Sequence, residues 1–395
     1  MELVEELPIA RAIPVAVRIA EPIPVAYLVP RRGFFGSIAA GVEWLFGVAV
    51  LLVALATLAA VPVAQFLSLG YMLEAGGRVA RTGRFRDGFI GVRKAARLGG
   101  IVFGAWLFLL PVRFVADMAS AADIIDPGSE TAASWRAGLF ALIGITFLHV
   151  LLAVANGGRL RTFLWPFNFV SVLRRVWRGG AYSQARDAVW ETVVALRLPY
   201  YFLLGLKGFL CGLAWLAIPV TLLAIGQNPA PVAGVVGFLG AMLLALVLLY
   251  LPFLQMRLAA ENRLRAGFQW LEVRREFRRA PVAFLFAFLV AILFALPLYL
   301  LKIEVVPREA AWLPGLLFIG FIFPARLLAG WALARARKRE QSRHWFFRWA
   351  VRPLLLVVAL FYVLMVFFAQ YTSWNGVGGL YEQHAFLLPV PLVGG

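Results

Sequence analysis

Long apolar runs alternate with short arginine-rich segments along most of the chain. No charged residue occurs between Trp44 and Leu73, nor between Gly208 and Met256. About 20 apolar residues are enough for a helix to cross a bilayer, so the second of these runs is long enough for two crossings. The segment QNPAP at 227–231 supplies the turn that two crossings require. The pattern predicts membrane-spanning helices rather than the core of a water-soluble domain.

Eight spans follow from the positions of these runs. We expect Pro62 to kink the first, and Gly157 and Gly158 to end the third, because glycine often follows a helix. The predicted fold class is all-α: a polytopic transmembrane helix bundle of about eight spans, arranged as four hairpins with basic cytoplasmic bends. In chain order the spans are Trp44–Leu73, Leu98–Ala116, Ala137–Ala155, Pro199 to the turn, the turn to Met256, Pro281–Leu301, Ala311–Ala334 and Pro353–Tyr371.

Three regions are predicted along the chain. Residues 1–40 form a proline-rich tail, residues 41–372 the transmembrane helical domain, and residues 373–395 a C-terminal tail. The prolines of the first tail disfavour a regular helix. Two interpretations of it stand: a flexible segment, or an extended strand that docks on a partner or on the exterior face of the protein itself. Because its start is acidic instead of basic, no signal peptide is expected, and the first span should act as the anchor.

The charges are distributed so that every second connection between spans is basic. Each of the four basic connections carries seven positive residues, whereas the others are acidic, balanced or uncharged. Basic loops of membrane proteins remain in the cytoplasm. With eight spans this rule places both termini outside. A re-entrant first segment with a cytoplasmic N-terminus is the alternative, because Arg31 and Arg32 directly precede the first span.

Composition supports a membrane environment and not a nucleic-acid partner. The chain has 62% hydrophobic residues and a formal net charge of +18. Its arginines come in blocks between apolar runs and do not form one continuous basic face, so binding to nucleic acid is not expected. The single cysteine, Cys211, excludes intrachain disulfides and a cysteine-based metal site.

The basic bends carry aromatic residues that suit the membrane interface. In the third bend, Trp270, Val273 and Phe277 fall on one helical face beside a face of arginines, so this segment can lie flat on anionic lipid. The alternative is a docking surface for a cytoplasmic protein partner. The predicted interfacial anchors are Trp177 in the second bend, Trp270, Arg274, Arg275 and Arg278 in the third, and Trp345 and Trp349, with Arg348 and Arg352, in the fourth.

Three ionisable side chains within the predicted spans are candidates for binding an anion or a lipid headgroup. Lys207 and Arg326 lie at similar depths from the cytoplasmic side, and His149 lies in the inner third of its span. Together they could surround a cytoplasm-facing pocket. The alternative is that the two long side chains reach the interface along their stems and that the histidine is packed. No carboxylate is expected near the middle of any span, which argues against proton- or sodium-coupled transport.

The sequence contains none of the common catalytic motifs. It has no phosphate-binding loop, no H-E-x-x-H and no G-x-S-x-G. The three histidines lie in different parts of the predicted topology, so no metal and no cofactor are expected. Two glycine pairs at a spacing of four, Gly100 with Gly104 and Gly208 with Gly212, predict close helix packing, with oligomer contacts as the alternative.

Three segments resemble an uncharacterised family of multi-pass bacterial membrane proteins. They are Gly70-Tyr71 before the first arginine-rich bend, AENRLRAGF at 260–268 with Pro281 after it, and the stretch from ARDAVW to LRLPYYF at 185–202. The family is known only as a domain of unknown function. The resemblance implies a bacterial cytoplasmic membrane location and brings no activity and no site residues.

Three functions are compatible with these observations. The favoured one is a non-enzymatic membrane component that organises the membrane or binds lipids or a protein partner through its basic cytoplasmic face. The alternative is a permease or channel for an anionic or neutral small solute, suggested by the prolines within the spans and by Lys207 and Arg326. The third is a membrane enzyme, for which the sequence offers no catalytic group.

Overall fold

The structure, a computed structural model, describes residues 33–158, 160–164, 170, 194, 196–300, 312–372 and 379–382. Within these ranges the chain is helical and has no strand. Its contacts divide it into two units, residues 1–41 and 42–395, and the packing described below is that of the second. The helices are α1 (Phe34–Ala60), α2 (Gln65–Thr82), α3 (Val92–Ile125), α4 (Glu130–Ala155), α5 (Leu160–Phe163), α6 (Leu198–Ile225), α7 (Ala233–Glu261), α8 (Trp270–Arg279), α9 (Pro281–Leu300), α10 (Trp312–Arg337), α11 (Trp345–Thr372) and α12 (Gly379–Glu382).

Seven of the described helices are long and apolar enough to cross a membrane. They are α1, α3, α4, α6, α7, α10 and α11. An eighth candidate is the pair of α8 and α9, whose axes meet at an angle of 115°. Pro281 is the first residue of α9, where its missing N–H costs no helical hydrogen bond. The predicted all-α bundle with about eight spans is confirmed.

The predicted first span is wrong at both ends. It was expected over Trp44–Leu73 as one kinked helix, but α1 runs from Phe34 to Ala60 and α2 begins anew at Gln65. Pro62 lacks the N–H that would continue the helix, and Val63 has a left-handed backbone with φ 69°. The chain therefore breaks where a kink was expected. The apolar residues that follow the break, such as Leu69 and Leu73, are buried against other helices.

Helix α2 packs against α6, α7 and α10, and glycines form each of these contacts. A Cβ atom on any of them would overlap an atom of the neighbouring helix, so the backbones approach as closely as glycine allows. Small residues at such crossings are typical of membrane helix bundles. The contacts are Gly70 with Gly205 on α6, Gly76 with Gly330 on α10, and Gly77 with Ala259 on α7.

One glycine from each of the two predicted small-residue pairs packs inside the chain. Gly208 of α6 faces Leu73 of α2, and Gly104 of α3 faces the ring of Phe163 in α5. These two positions therefore serve helix packing within the chain, as expected.

The first and third basic bends share a sequence pattern and a backbone conformation. The first reads GRFRDGF from Gly83 and the third reads NRLRAGF from Asn262. Gly83 and Asn262 end their helices with left-handed φ angles of 73° and 51°, and the next arginine is extended in both cases. A 3-10 turn follows each, at Phe85–Gly88 and at Leu264–Phe268. The two bends are therefore copies of one structural unit, and Gly158, with φ 63°, begins a similar GRLR segment.

Two predicted helix boundaries are confirmed. Gly157 and Gly158 end α4 with φ angles of 104° and 63°, and the amide of Gly158 donates to the carbonyl oxygen of Ala153 at 3.1 Å. The turn at 227–231 separates α6 from α7. Both signals are local. Glycine allows the backbone conformations that end a helix and proline restricts φ, and both effects are independent of the surroundings.

The fourth bend differs from the predicted arrangement. Trp345 and Trp349 were expected in an interfacial element before a span that starts at Pro353. Instead α11 is one helix from Trp345 to Thr372, and Pro353 lies inside it without ending it. A helix in a bundle can tolerate one missing N–H, since neighbouring groups satisfy the freed carbonyl.

Candidate functional site

Glu74 is a buried carboxylate among the contacts of α2. Its side chain is only 4% exposed and forms ion pairs with Arg78 at 2.9 Å and Arg81 at 2.8 Å. The hydroxyl of Tyr200 on α6 donates to its other oxygen at 2.7 Å. Arg81 also donates to two carbonyl oxygens in the last turn of α7. A buried charge is tolerated only when it is paired in this way, so the cluster joins α2 to α6 and α7.

A second buried cluster joins α7, α8 and α10. Glu276, 7% exposed at its side chain, accepts hydrogen bonds from Arg257 at 3.1 Å and from Arg337 at 3.0 Å. Arg257 also donates to Glu261 at 3.0 Å and to Gln269 at 2.9 Å. Two arginines thus face two carboxylates and their charges balance. The cluster serves as a neutral structural connection.

A third polar contact lies deeper in the bundle. Arg326 of α10 is buried and donates to the side-chain oxygen of Gln255 on α7. The amide of Gln255 in turn donates to the carbonyl oxygen of Gly208 on α6 at 3.3 Å. Beside Arg326 lies a cavity of about 20 Å³ between α7, α9 and α10. A cavity of this size holds about one water molecule.

The three residues predicted to bind an anion have separate environments in the described structure. Arg326 contacts Gln255, as stated above, and neither of the other two lines the small cavity beside it. Lys207 of α6 donates to the side-chain oxygen of Asn262 at 3.2 Å, where α7 ends. His149 of α4 contacts the carbonyl oxygen of Phe163 at 2.8 Å, and its ring lies tilted against that of Phe108 with 4.4 Å between ring centroids. Their predicted role in anion binding stays a prediction.

The predicted interfacial anchors differ in how far they reach solvent or lipid. In α8, Val273 is buried and Phe277 packs on Phe284 of α9, so this part of the apolar stripe faces the protein itself. Trp270 stays 41% exposed, and Arg274, Arg275 and Arg278 are exposed. Trp345 and Trp349 are also exposed, at 58% and 61%. Trp177 lies outside the described residues, and anchoring by the others stays a prediction.

Aromatic donors fix both copies of the bend to the bundle. Tyr71 of α2 donates to the carbonyl oxygen of Ile90 at 2.8 Å, and Trp215 of α6 donates to that of Gly267 at 2.9 Å. Burial, together with the nearby Tyr201, raises the pKa of the Tyr71 hydroxyl above its ordinary value. The hydroxyl therefore stays protonated and remains a donor.

An arginine-lined cleft opens where α9 begins, α10 ends and α11 begins. Its apolar chamber has a volume of about 520 Å³. Val282 and Phe286 of α9 line it and are 52% and 50% exposed. The side chains that give the chamber its character are the apolar Val282, Phe286, Trp331 and Phe347 and the basic Arg335, Arg339 and Arg343.

A second, polar chamber is a shallow groove, open to solvent, of about 720 Å³, which adjoins the apolar chamber and shares Arg339, Arg343 and Phe347 with it. The two chambers form one cleft, apolar on one side and basic on the other. Four cationic side chains and a single carboxylate line the polar chamber, with His344 beside them. The charged residues are Arg279, Lys338, Arg339, Arg343 and Glu340.

Sequence reasoning missed the buried ion pairs and the cleft. The spacing of Glu74, Arg78 and Arg81 at i, i+4 and i+7 marks one helix face and was an available signal, as was Arg257 with Glu261 at i, i+4. The cleft had no such signal, since its walls come from three helices.

Within the described ranges no group of three His, Cys, Asp or Glu side chains could hold a metal ion.

The long apolar helices, their close glycine contacts and the buried, paired charges define the class: a multi-pass helical membrane protein. Residues 192–303, which contain α6, α7, α8, α9 and the third bend, match the model of a family described as a protein of unknown function, DUF4013. The predicted resemblance to an uncharacterised family is confirmed for this part of the chain. No curated protein and no solved structure matches the chain.

Proposed function

We propose that the protein is a non-enzymatic component of the bacterial cytoplasmic membrane that binds anionic lipid, or a protein partner carrying acidic groups, through its basic bends. One observation supports this most directly. Arg335, Arg339 and Arg343 line an open cleft at one basic end of the bundle and, among the described residues, none of them has an ion pair.

The contrast with the arginines that have ion pairs strengthens the argument. Arg78, Arg81, Arg257 and Arg337 each pair with a carboxylate of the same chain. The chain has 20 acidic residues for 38 basic ones, so part of its positive charge has no internal counterpart. Each Lys or Arg close to an anionic leaflet contributes about 1 kcal/mol of attraction. The phosphates of the cytoplasmic leaflet are the nearest anions for the remaining arginines.

The orientation belongs to the same proposal. The four basic bends face the cytoplasm, in agreement with the rule for basic loops. Transport of an anionic or neutral solute stays a prediction without a supporting observation, because the cavity beside Arg326 has a volume of only about 20 Å³.

The proposal is tested in two steps. The full chain is first reconstituted in nanodiscs that contain phosphatidylglycerol and phosphatidylcholine. It is then transferred to detergent, and the lipids that remain bound to it are analysed. We expect phosphatidylglycerol to be enriched, and the enrichment to fall as salt is raised, because salt screens exposed charges. Retention of both lipids in the proportion supplied would contradict binding of anionic lipid and would leave the acidic protein partner as the form of the proposal to test by pull-down.

A further inference from the structure

We propose that the arginine-lined cleft binds one anionic phospholipid, with its phosphate between Arg339 and Arg343 in the polar chamber and one acyl chain in the apolar chamber. This inference rests on the proposed function and assigns it to a single site. Its basis is that an apolar chamber and a polar, basic chamber lie side by side. Both are found where α9 begins, α10 ends and α11 begins, at a basic end of the bundle.

The charge of the polar chamber fits an anion. Four cations and one carboxylate line it, so the local field favours negative charge. Arginine presents several N–H donors in a planar fork that suits phosphate oxygens. Zwitterionic lipid carries the same phosphate with a compensating ammonium group, so a net negative headgroup should be preferred.

The guanidinium groups are held in place before any ligand arrives. Arg343 lies over the ring of Phe347 at 4.7 Å, and Arg335 lies over Trp331 at 5.6 Å. The backbone amide of Arg343 donates to the carbonyl oxygen of Arg278 at 2.9 Å, and Arg339 donates to that of Arg279 at 3.4 Å. Little further ordering is needed on binding, which favours affinity.

The apolar chamber determines the orientation in which the acyl chain can bind. Its outer wall is formed by Val282 and Phe286, about half of whose surfaces are exposed on the side of α9. An acyl chain gains little by leaving other chains for an apolar protein surface. Selectivity therefore comes from the arginines, while the apolar wall fixes the depth and the orientation of the lipid.

The test measures binding of phosphatidylglycerol and phosphatidylcholine to the full chain in neutral detergent by native mass spectrometry. Removal of both central charges, Arg339→Gln with Arg343→Gln, should weaken binding of the first phosphatidylglycerol by about fivefold for each arginine. The matched control is Arg113→Gln with Arg136→Gln, which removes two exposed arginines of α3 and α4 that lie outside the four basic bends. This control should leave the affinity within about twofold.

A second variant tests the proposed position of the acyl chain and leaves all charged residues of the cleft intact. Val282→Trp places a larger side chain on the wall of the apolar chamber, where it narrows the space for the acyl chain, and should also weaken phosphatidylglycerol binding. Thermal unfolding in detergent checks that both variants remain folded. Inorganic phosphate, which lacks an acyl chain, should not displace the lipid at matched concentration. Full displacement by phosphate, or undiminished binding by Val282→Trp, would overturn the lipid as the occupant.

The outcomes separate this inference from the proposed function. Wild-type chain that shows no preference for phosphatidylglycerol contradicts both this inference and lipid binding as the proposed function. If the wild type shows the preference and the Arg339 and Arg343 variant retains it to the same degree as the control, anionic lipid binds elsewhere. In that case the cleft is not the site, although the proposed function stands.

Discussion

Gly76 of α2 and Gly330 of α10 lie in backbone contact, so that a Cβ atom on Gly330 would overlap the carbonyl oxygen of Gly76. The crossing leaves room only for hydrogen at both positions. Because α2 also contacts α6 and α7, a shift at this crossing would change the packing of α2 against α6, α7 and α10. The central position of α2 therefore depends on the absence of two side chains.

Substitution of this crossing should destabilise the bundle. We expect Gly330→Ala to cost about 1–3 kcal/mol, the range for overpacking, because the added methyl group meets backbone that cannot rotate away. Gly320→Ala is the matched control on the same helix, since nothing lies within 4 Å of its Cβ position. Thermal unfolding of the two variants in the same detergent checks the difference, and equal midpoints would argue against the contact.

Loss of the carboxylate of Glu276 should leave the buried Arg257 and the partly exposed Arg337 with Glu261 as their remaining carboxylate. Removing one member of a buried ion pair costs about 3–5 kcal/mol, so Glu276→Ala should lower the midpoint of unfolding markedly. Glu272→Ala lies one turn earlier on α8 and removes an exposed pair with Arg275, which is expected to cost less than about 1 kcal/mol. A variant at 276 as stable as the one at 272 would show that the cluster is dispensable.

The shared bend makes a prediction about Asn262. Its φ of 51° suits asparagine and glycine, and Gly83 occupies the same place in the first bend. Asn262→Gly should therefore fold normally, whereas Asn262→Val should cost about 1–2 kcal/mol for a left-handed backbone. Thermal unfolding measures both effects. Both variants lose the hydrogen bond from Lys207 to the side-chain oxygen of Asn262, so this loss cancels when the two are compared.

The orientation of the bends can be measured by cysteine labelling from either side of the membrane. Arg86→Cys and Arg274→Cys, in the first and third bends, should react only from the cytoplasmic side, because basic loops stay inside. Asn228→Cys, in the turn between α6 and α7, should react from the outside. The native Cys211 is buried and should stay silent. Labelling of the first and third bends from opposite sides would contradict the proposed topology.

Features that depend on neighbours in the chain were predictable from the sequence. The turn at 227–231 and the glycines at 157 and 158 act on their own backbone, and the uncharged runs are long enough to cross a bilayer wherever they pack. The GRFR and NRLR segments were also visible as a repeat, although they gain meaning only when their shared conformation is seen.

The pairing of charges was decided by the tertiary structure. Glu74 meets Tyr200, which lies 126 residues further along the chain, and Arg337 meets Glu276 across 61 residues. Hydropathy measures a preference for an apolar environment and does not distinguish lipid from the interior of the protein. For this reason the apolar residues of α2 were predicted to belong to the first span, although α2 is a separate helix. The sequence by itself determined that long helices exist and that arginines cluster between them. Only the packing of these helices decided which arginines are neutralised within the bundle and which face an open cleft, because that depends on contacts between residues far apart in the chain.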